Sequence, residues 1–199
     1  MKKLFWVAFF YSSAVCAQSA TDIAQVENYL NGVSAMQADF VQMASNGATS
    51  EGKLYISKPS KLRMEYAPPT DVLIVGNGKE IIFHDRELDQ VTNIDYEDVP
   101  GTKILTETIK IDGHVLKVTD FYKDSGTTTV TLESATEKDM RPITLVFSNK
   151  PFELKQWKII DPQGVEVTLS LYDMHTNEAL DENLFSYKVK ARKNAKRRH

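Results

Sequence analysis

The sequence predicts a mainly β protein. Its expected form is a single large antiparallel sheet of about eleven strands, curled into an open, incomplete barrel, with helices forming a lid over an apolar cavity. Three observations carry that expectation. From residue 36 onward, apolar and polar residues alternate with a period of two in successive short runs. Turn residues separate those runs at hairpin spacing. Only two stretches carry a helical period, and a long twisted sheet with so little cover must curl or split. From pattern alone, a filled sandwich satisfies the same alternation.

The elements follow in order. Lys2 and Lys3 precede an apolar run of 12 residues, Leu4 to Val15. A membrane-spanning helix needs about 20. Val15-Cys16-Ala17 places small residues at the two positions a signal peptidase reads, so residues 1–17 are expected to be a signal peptide cleaved after Ala17. An uncleaved anchor and acylation at Cys16 are the other readings. The mature chain then has no cysteine, which excludes disulfides and any thiolate metal site.

Asp22 with Gln25 has the form of a capping box. Ile23, Val26, Leu30 and Val33 recur at helical spacing, with Tyr29 beside them, which predicts a helix with one apolar stripe. The strands begin with Ala38 and Phe40, then Leu54 and Ile56, then Leu62, Met64 and Tyr66, each alternating with polar neighbours. Further runs lie at 72–75, 80–84, 90–94, 115–122, 127–133, 143–147, 153–160 and 165–172. Gly76-Asn77-Gly78, Lys123-Asp124-Ser125-Gly126, Ser148-Asn149-Lys150-Pro151 and Asp161-Pro162-Gln163-Gly164 supply turns. A second helical piece is expected after Pro100-Gly101, with Ile104, Leu105 and Ile109 on one side.

Charge is uneven. Residues 18–187 hold 15 basic and 27 acidic side chains, an acidic body that argues against nucleic-acid binding. Residues 188–199 hold seven basic side chains and no acidic one. That tail reads as a solvated end, with anionic lipid head groups or an acidic partner as its functional alternative.

Catalytic patterns are missing. His84, His114, His175 and His199 show no metal-ligand spacing, and there is no Gly-x-Ser-x-Gly elbow. His84-Asp85 reads as a surface pair, Asp181-Glu182 as a loop or helix start, and Gly76-Asn77-Gly78 as a tight turn between strands. No enzyme, metal or cofactor is expected. A lipid hydrolase assembled around His84 and Asp85, and an acidic interaction module with a filled core, are the readings from other classes.

One pattern is more specific. Gly52-Lys53-Leu54-Tyr55-Ile56-Ser57-Lys58-Pro59-Ser60-Lys61-Leu62-Arg63-Met64-Glu65-Tyr66, running on to Pro68-Pro69, resembles the signature of the outer-membrane lipoprotein carrier (LolA) family. Phe40-x-Gln42 precedes it. Asn77-Gly78-Lys79, Phe83-x-Asp85 and Leu88-Asp89-Gln90-Val91-Thr92 are similar to a second block. Trp157, Asp161, Gly164, Thr168, Asn177, Leu180-Asp181 and Leu184-Phe185 are similar to the closing one. The resemblance covers about residues 20–188.

The resemblance implies a monomeric periplasmic carrier with an eleven-stranded open barrel and a helical lid. It would accept acylated lipoproteins from an inner-membrane ABC transporter and pass them to an acceptor on the outer membrane. Phe40, Leu62, Met64, Tyr66, Ile104 and Leu105 are then expected to bind acyl chains. Lys58 stands where the family has an Arg before Pro, which implies a latch to the lid that Arg63 could assist. Lysine keeps the charge and loses the planar fork of donors. Met64 stands where the family often has Trp and Leu62 where it has Phe, and the segment 102–109 is more polar than the family's apolar run. A carrier or sensor of another lipid on the same scaffold is the alternative.

Overall fold

The computed structural model describes residues 14–99, 102–137, 141–161 and 164–187. Most of the expected signal peptide and all of the basic tail lie outside the described residues. One helix, α1 (Ala14–Gly32), precedes eleven strands. These are β1 (Ala35–Ala44), β2 (Thr49–Ser57), β3 (Lys61–Tyr66), β4 (Val72–Asn77), β5 (Glu80–Asp85), β6 (Gln90–Asp95), β7 (Leu116–Lys123), β8 (Thr127–Ser134), β9 (Ile143–Asn149), β10 (Phe152–Ile160) and β11 (Glu166–Thr176).

All eleven lie in one sheet of order β6-β5-β4-β3-β2-β1-β11-β10-β9-β8-β7, and the ten neighbouring pairs are antiparallel. The sheet does not close, because β6 and β7 do not pair with each other. It consists of two meanders joined within the sheet by the pairing of the first strand with the last. Irregularities at Gln37/Asp39, Val118/Asp120 and Leu154/Gln156 interrupt the register, and such bulges bend a sheet.

Alternation decides which side faces inward. Met36, Ala38 and Phe40 of β1, Val130 and Leu132 of β8, and Ile143, Leu145 and Phe147 of β9 are buried in one apolar cluster. Val26 and Leu30 of α1, with Val33 just beyond its end, join it from above. The Tyr29 ring meets Phe147 and Phe152 edge-on, with centroids 5.4 and 5.9 Å apart. The helical stripe thus finds the apolar face that its spacing requires.

Two expectations change. The helix already runs from Ala14, so Asp22 is no N-cap. It lies inside α1, buried, with its carboxylate 2.7 Å from Lys123 Nζ at the edge strand β7. The second helical piece is a single 3₁₀ turn, Thr102–Leu105. Thr106 Oγ1 donates to the Lys103 and Thr108 carbonyls at 3.1 and 3.2 Å, and such local bonding competes with helix continuation. Without a further turn, the piece is too short to propagate.

Topology still routes this connection across the mouth. It leaves β6 at one edge of the sheet and must reach β7 at the other. On the way Ile104, Leu105 and Ile109 are buried in the inner cluster.

A second, smaller apolar group lies on the outer face. Leu73 and Val75 of β4 and Ile82 of β5 are buried but stand outside the inner cluster. After β11, residues 177–187 bring a short 3₁₀ turn, Glu182–Phe185, against β3 and β4. Phe185 there is only 4% exposed.

Candidate functional site: the apolar site beneath the helix

The turn between β2 and β3 holds both covering elements. Lys58 Nζ donates to the Leu30 carbonyl at 2.6 Å, and Lys58 N donates to Ser34 O at 2.8 Å. Leu30 lies in the last turn of α1, where helix carbonyls lack intrahelical partners and attract cations. Two residues on, Ser60 N donates to the Leu105 carbonyl at 2.8 Å. Burial strips water from the Lys58 ammonium and lowers its pKa to about 8.

The covering elements also grip each other. Asn31 Nδ2 donates to Ile109 O at 2.9 Å, and Ile109 N donates back to Asn31 Oδ1 at 2.8 Å. One helical turn earlier, Glu27 Oε2 accepts from Ile111 N at 2.7 Å. Asn177 ties down the end of α1, donating from Nδ2 to Gly32 O at 2.9 Å and accepting from Ser34 N at 2.8 Å.

Beneath these joints lies a cavity of about 30 Å³ lined by Lys58, Ile104 and Leu105 together with Met36, Trp157 and Leu171. A site that encloses a small ligand measures about 300–1,000 Å³. Among the described residues, the space beneath these joints is far smaller than that.

The other expected acyl-contact residues share this inner face. Phe40, Leu62, Met64 and Tyr66 belong to the same cluster, Phe40 and Leu62 buried and Met64 and Tyr66 partly so. Phe40 packs edge-on against Tyr66 at 5.1 Å, and both residues pair with Gly52 on the strand between them. A Cβ on Gly52 would lie 2.9 Å from the Phe40 ring and 2.1 Å from the Glu65 carbonyl oxygen, so only glycine lets the two aromatics meet there. The Tyr66 hydroxyl donates to Gln42 Oε1 at 2.7 Å, and burial pushes its pKa up to about 12.

Arg63 stands apart. It points from the outer face, donating to the Leu184 carbonyl at 2.9 Å and pairing with Glu65. Its contacts join β3 to the C-terminal segment and do not reach α1. His84 also faces outward, its ring edge-on to Tyr187 at 5.7 Å. Asp85 accepts from Leu88 N at 2.9 Å and so caps the next turn. Among the described residues no group of three His, Cys, Asp or Glu side chains could hold a metal, and no helix is long and apolar enough to cross a membrane.

Sequence reasoning did not single out Met36, Leu154, Trp157 or Leu171 as lining residues, nor Asn31 and Asn177 as ties. Met36 and Leu171 carry the period-two signal of inward positions. Asn177 sits at φ 61 directly after the last strand, a conformation that favours asparagine.

Residues 31–188 match the family model of the outer membrane lipoprotein carrier protein LolA. An outer-membrane lipoprotein carrier protein of Pseudomonas paraeruginosa is 24% identical over 187 residues, covering 89% of this chain and 88% of that protein. One from Legionella pneumophila is 29% identical over 201 residues, covering 94% and 95%. Among solved structures, an uncharacterized conserved protein from Thermus thermophilus shares the fold, with TM-score 0.50, 14% identity, and 87% and 97% coverage.

Proposed function

The chain belongs to the LolA family, and on that premise we propose that it carries the acyl chains of lipoproteins through the periplasm. Residues 1–17 direct export and are removed, residues 18–187 form the carrier domain, and the basic tail follows. The carrier takes lipoproteins released by an inner-membrane ABC transporter and delivers them to an outer-membrane acceptor. It performs no bond chemistry.

One observation carries this reading. The apolar inner face of the sheet is covered by one helix and one connecting segment, joined to it at their rims by a few hydrogen bonds. A sixteen-carbon chain gains on the order of 12 kcal/mol on leaving water, at about 0.8 kcal/mol per buried CH₂. That gain is large against the few net kcal/mol held in such hydrogen bonds. Ligand entry therefore lifts α1 and the segment 102–111 as a lid, exposing Phe40, Leu62, Met64, Tyr66, Ile104 and Leu105. The Lys58 bond to Leu30 is the latch that breaks. Arg63 takes no part in it.

The test is release. Proteoliposomes containing the matched transporter and a labelled lipoprotein are incubated with the mature protein and ATP. Soluble lipoprotein in a one-to-one complex is the expected result. No release from an active transporter would favour carriage of another lipid, and turnover of the lipid would favour a hydrolase. N-terminal sequencing of the exported protein checks cleavage after Ala17.

A further inference from the structure

The cavity beneath α1 is lined by two hydrogen-bond donors whose protons find no acceptor among the described residues. Both Trp157 Nε1 and the Tyr29 hydroxyl are sealed from solvent: among the described residues the indole has no partner, and the hydroxyl oxygen meets only the Leu154 backbone, a donor that leaves the phenol's own proton without an acceptor. Both residues line the small cavity beneath α1, as does Lys58. Their neighbours are apolar: Tyr29 packs on Phe147 and Phe152, and the rest of the lining includes Leu30, Val33 and Leu171. A buried donor without an acceptor destabilises a protein, and native interiors hold few of them. Burial also raises the pKa of Tyr29, so the phenol keeps its proton. An indole N–H is donor-only, so it calls for an acceptor.

Two donors facing one small apolar cavity, Tyr29 from the helix and Trp157 from the sheet, beside a cation at the rim, fit a particular ligand. It is a long hydrocarbon that carries a carbonyl oxygen near one end. We infer that Trp157 and Tyr29 recognise the ester or amide carbonyl of a bound acyl group, and so set a preference for acyl lipids over plain hydrocarbon. The inference rests on the carrier reading and names what the site recognises beyond chain length. On opening, Lys58 leaves Leu30 and the carbonyl enters between Trp157 on the sheet and Tyr29 on the lifted helix. The chain beyond it lies along the apolar face.

The experiment uses the mature protein and three probes of equal chain length: a fatty-acid methyl ester, a fatty N-methylamide and the alkane. Each displaces a polarity-sensitive apolar dye. The parent protein is expected to prefer the ester or the amide over the alkane by about tenfold, the worth of one good buried hydrogen bond. The two arms separate an ester-linked source from an amide-linked one. Tyr29→Phe removes only the hydroxyl, so the ligand-free protein should melt no lower than the parent, while the preference ratio falls severalfold. Trp157→Phe lowers the ratio as well, and the double variant brings it close to one. An equal preference in the parent would overturn the inference and leave the carrier reading standing. Failure of the parent to bind any of the three probes would overturn both. A clear loss of melting temperature in Tyr29→Phe would show that the hydroxyl is already satisfied in the closed protein, and would remove Tyr29 from the role. Unchanged ratios in both single variants would remove both residues.

Discussion

The sheet buries apolar side chains on both faces, but the two covers are built differently. On the outer face Leu73, Val75 and Ile82 lie under a short segment that contributes its own buried aromatic, Phe185. Polar ties reinforce that segment: Arg63 to the Leu184 carbonyl, and Lys61 to Glu182 at 2.5 Å. On the inner face, α1 and the 102–111 segment span a much larger cluster. Their polar ties run along the cover: Lys58 to Leu30 at the end of α1, Asn31 and Glu27 to the connecting segment, and Lys123 to Asp22. Polar ties exchange readily for water when they break, whereas a plugged aromatic does not. Burial alone therefore fails to distinguish a permanent cover from a movable one. The kind of joint does.

Several experiments would break or sharpen that contrast. Phe185→Ala empties the outer plug and should lower folding stability by about 3–5 kcal/mol, with dye uptake per folded molecule unchanged. Chemical denaturation beside a binding assay checks it, and a loss of uptake larger than the loss of folded protein would mean that the outer cover also serves the site. Met64→Glu places a carboxylate among apolar inner residues. It should abolish acyl uptake while circular dichroism still reports a folded sheet, and normal uptake would show that the inner face is the wrong one.

Asn31→Ala removes two bonds between α1 and the connecting segment, about 1–2 kcal/mol in total. Hydrogen exchange should rise in 102–111 and in α1 together if they move as one body, and only in 102–111 if they do not. Lys58→Leu should cost about 1 kcal/mol of closure, hinder delivery more than folding, and speed dye entry. Unchanged delivery would remove Lys58 from the latch.

The smallest effect is one of pH. Closed, Lys58 titrates at about 8, below its ordinary value of 10.5. An opened site returns it to water, so between those values the open state binds more protons. Raising the pH from 8 to 10 therefore favours the closed state. Dye entry should slow across that range in the parent and lose this dependence in Lys58→Leu.

Much of this was legible from the residues alone. Eleven alternating runs became eleven strands in the expected order, and the inward set Phe40, Leu62, Met64 and Tyr66 followed from period two. The helix start was not legible, because Asp22 and Gln25 mimic a cap while the helix continues through them. The second helix failed because Thr106 bonds locally. The lining residues of β10 were hidden by the irregularity at Leu154/Gln156. It sets the two inward residues Leu154 and Trp157 three apart, where strict alternation calls for an even spacing. The ties made by Asn31 and Asn177 depend on contacts 78 and 145 residues distant in the chain, which no local pattern reports.

The pairing of β1 with β11 has a consequence for how the molecule is made. Each meander is assembled from hairpins between consecutive strands, which form quickly because their contacts are local. The β1–β11 ladder spans nearly the whole domain, from Met36 against Thr176 to Ala44 against Val167. It cannot form until the last strand is available. A chain threaded through a membrane N-terminus first would therefore complete its sheet only after the final strand has emerged. Until then the apolar flank of β1 stands as an unpaired edge, open to other chains in the same compartment.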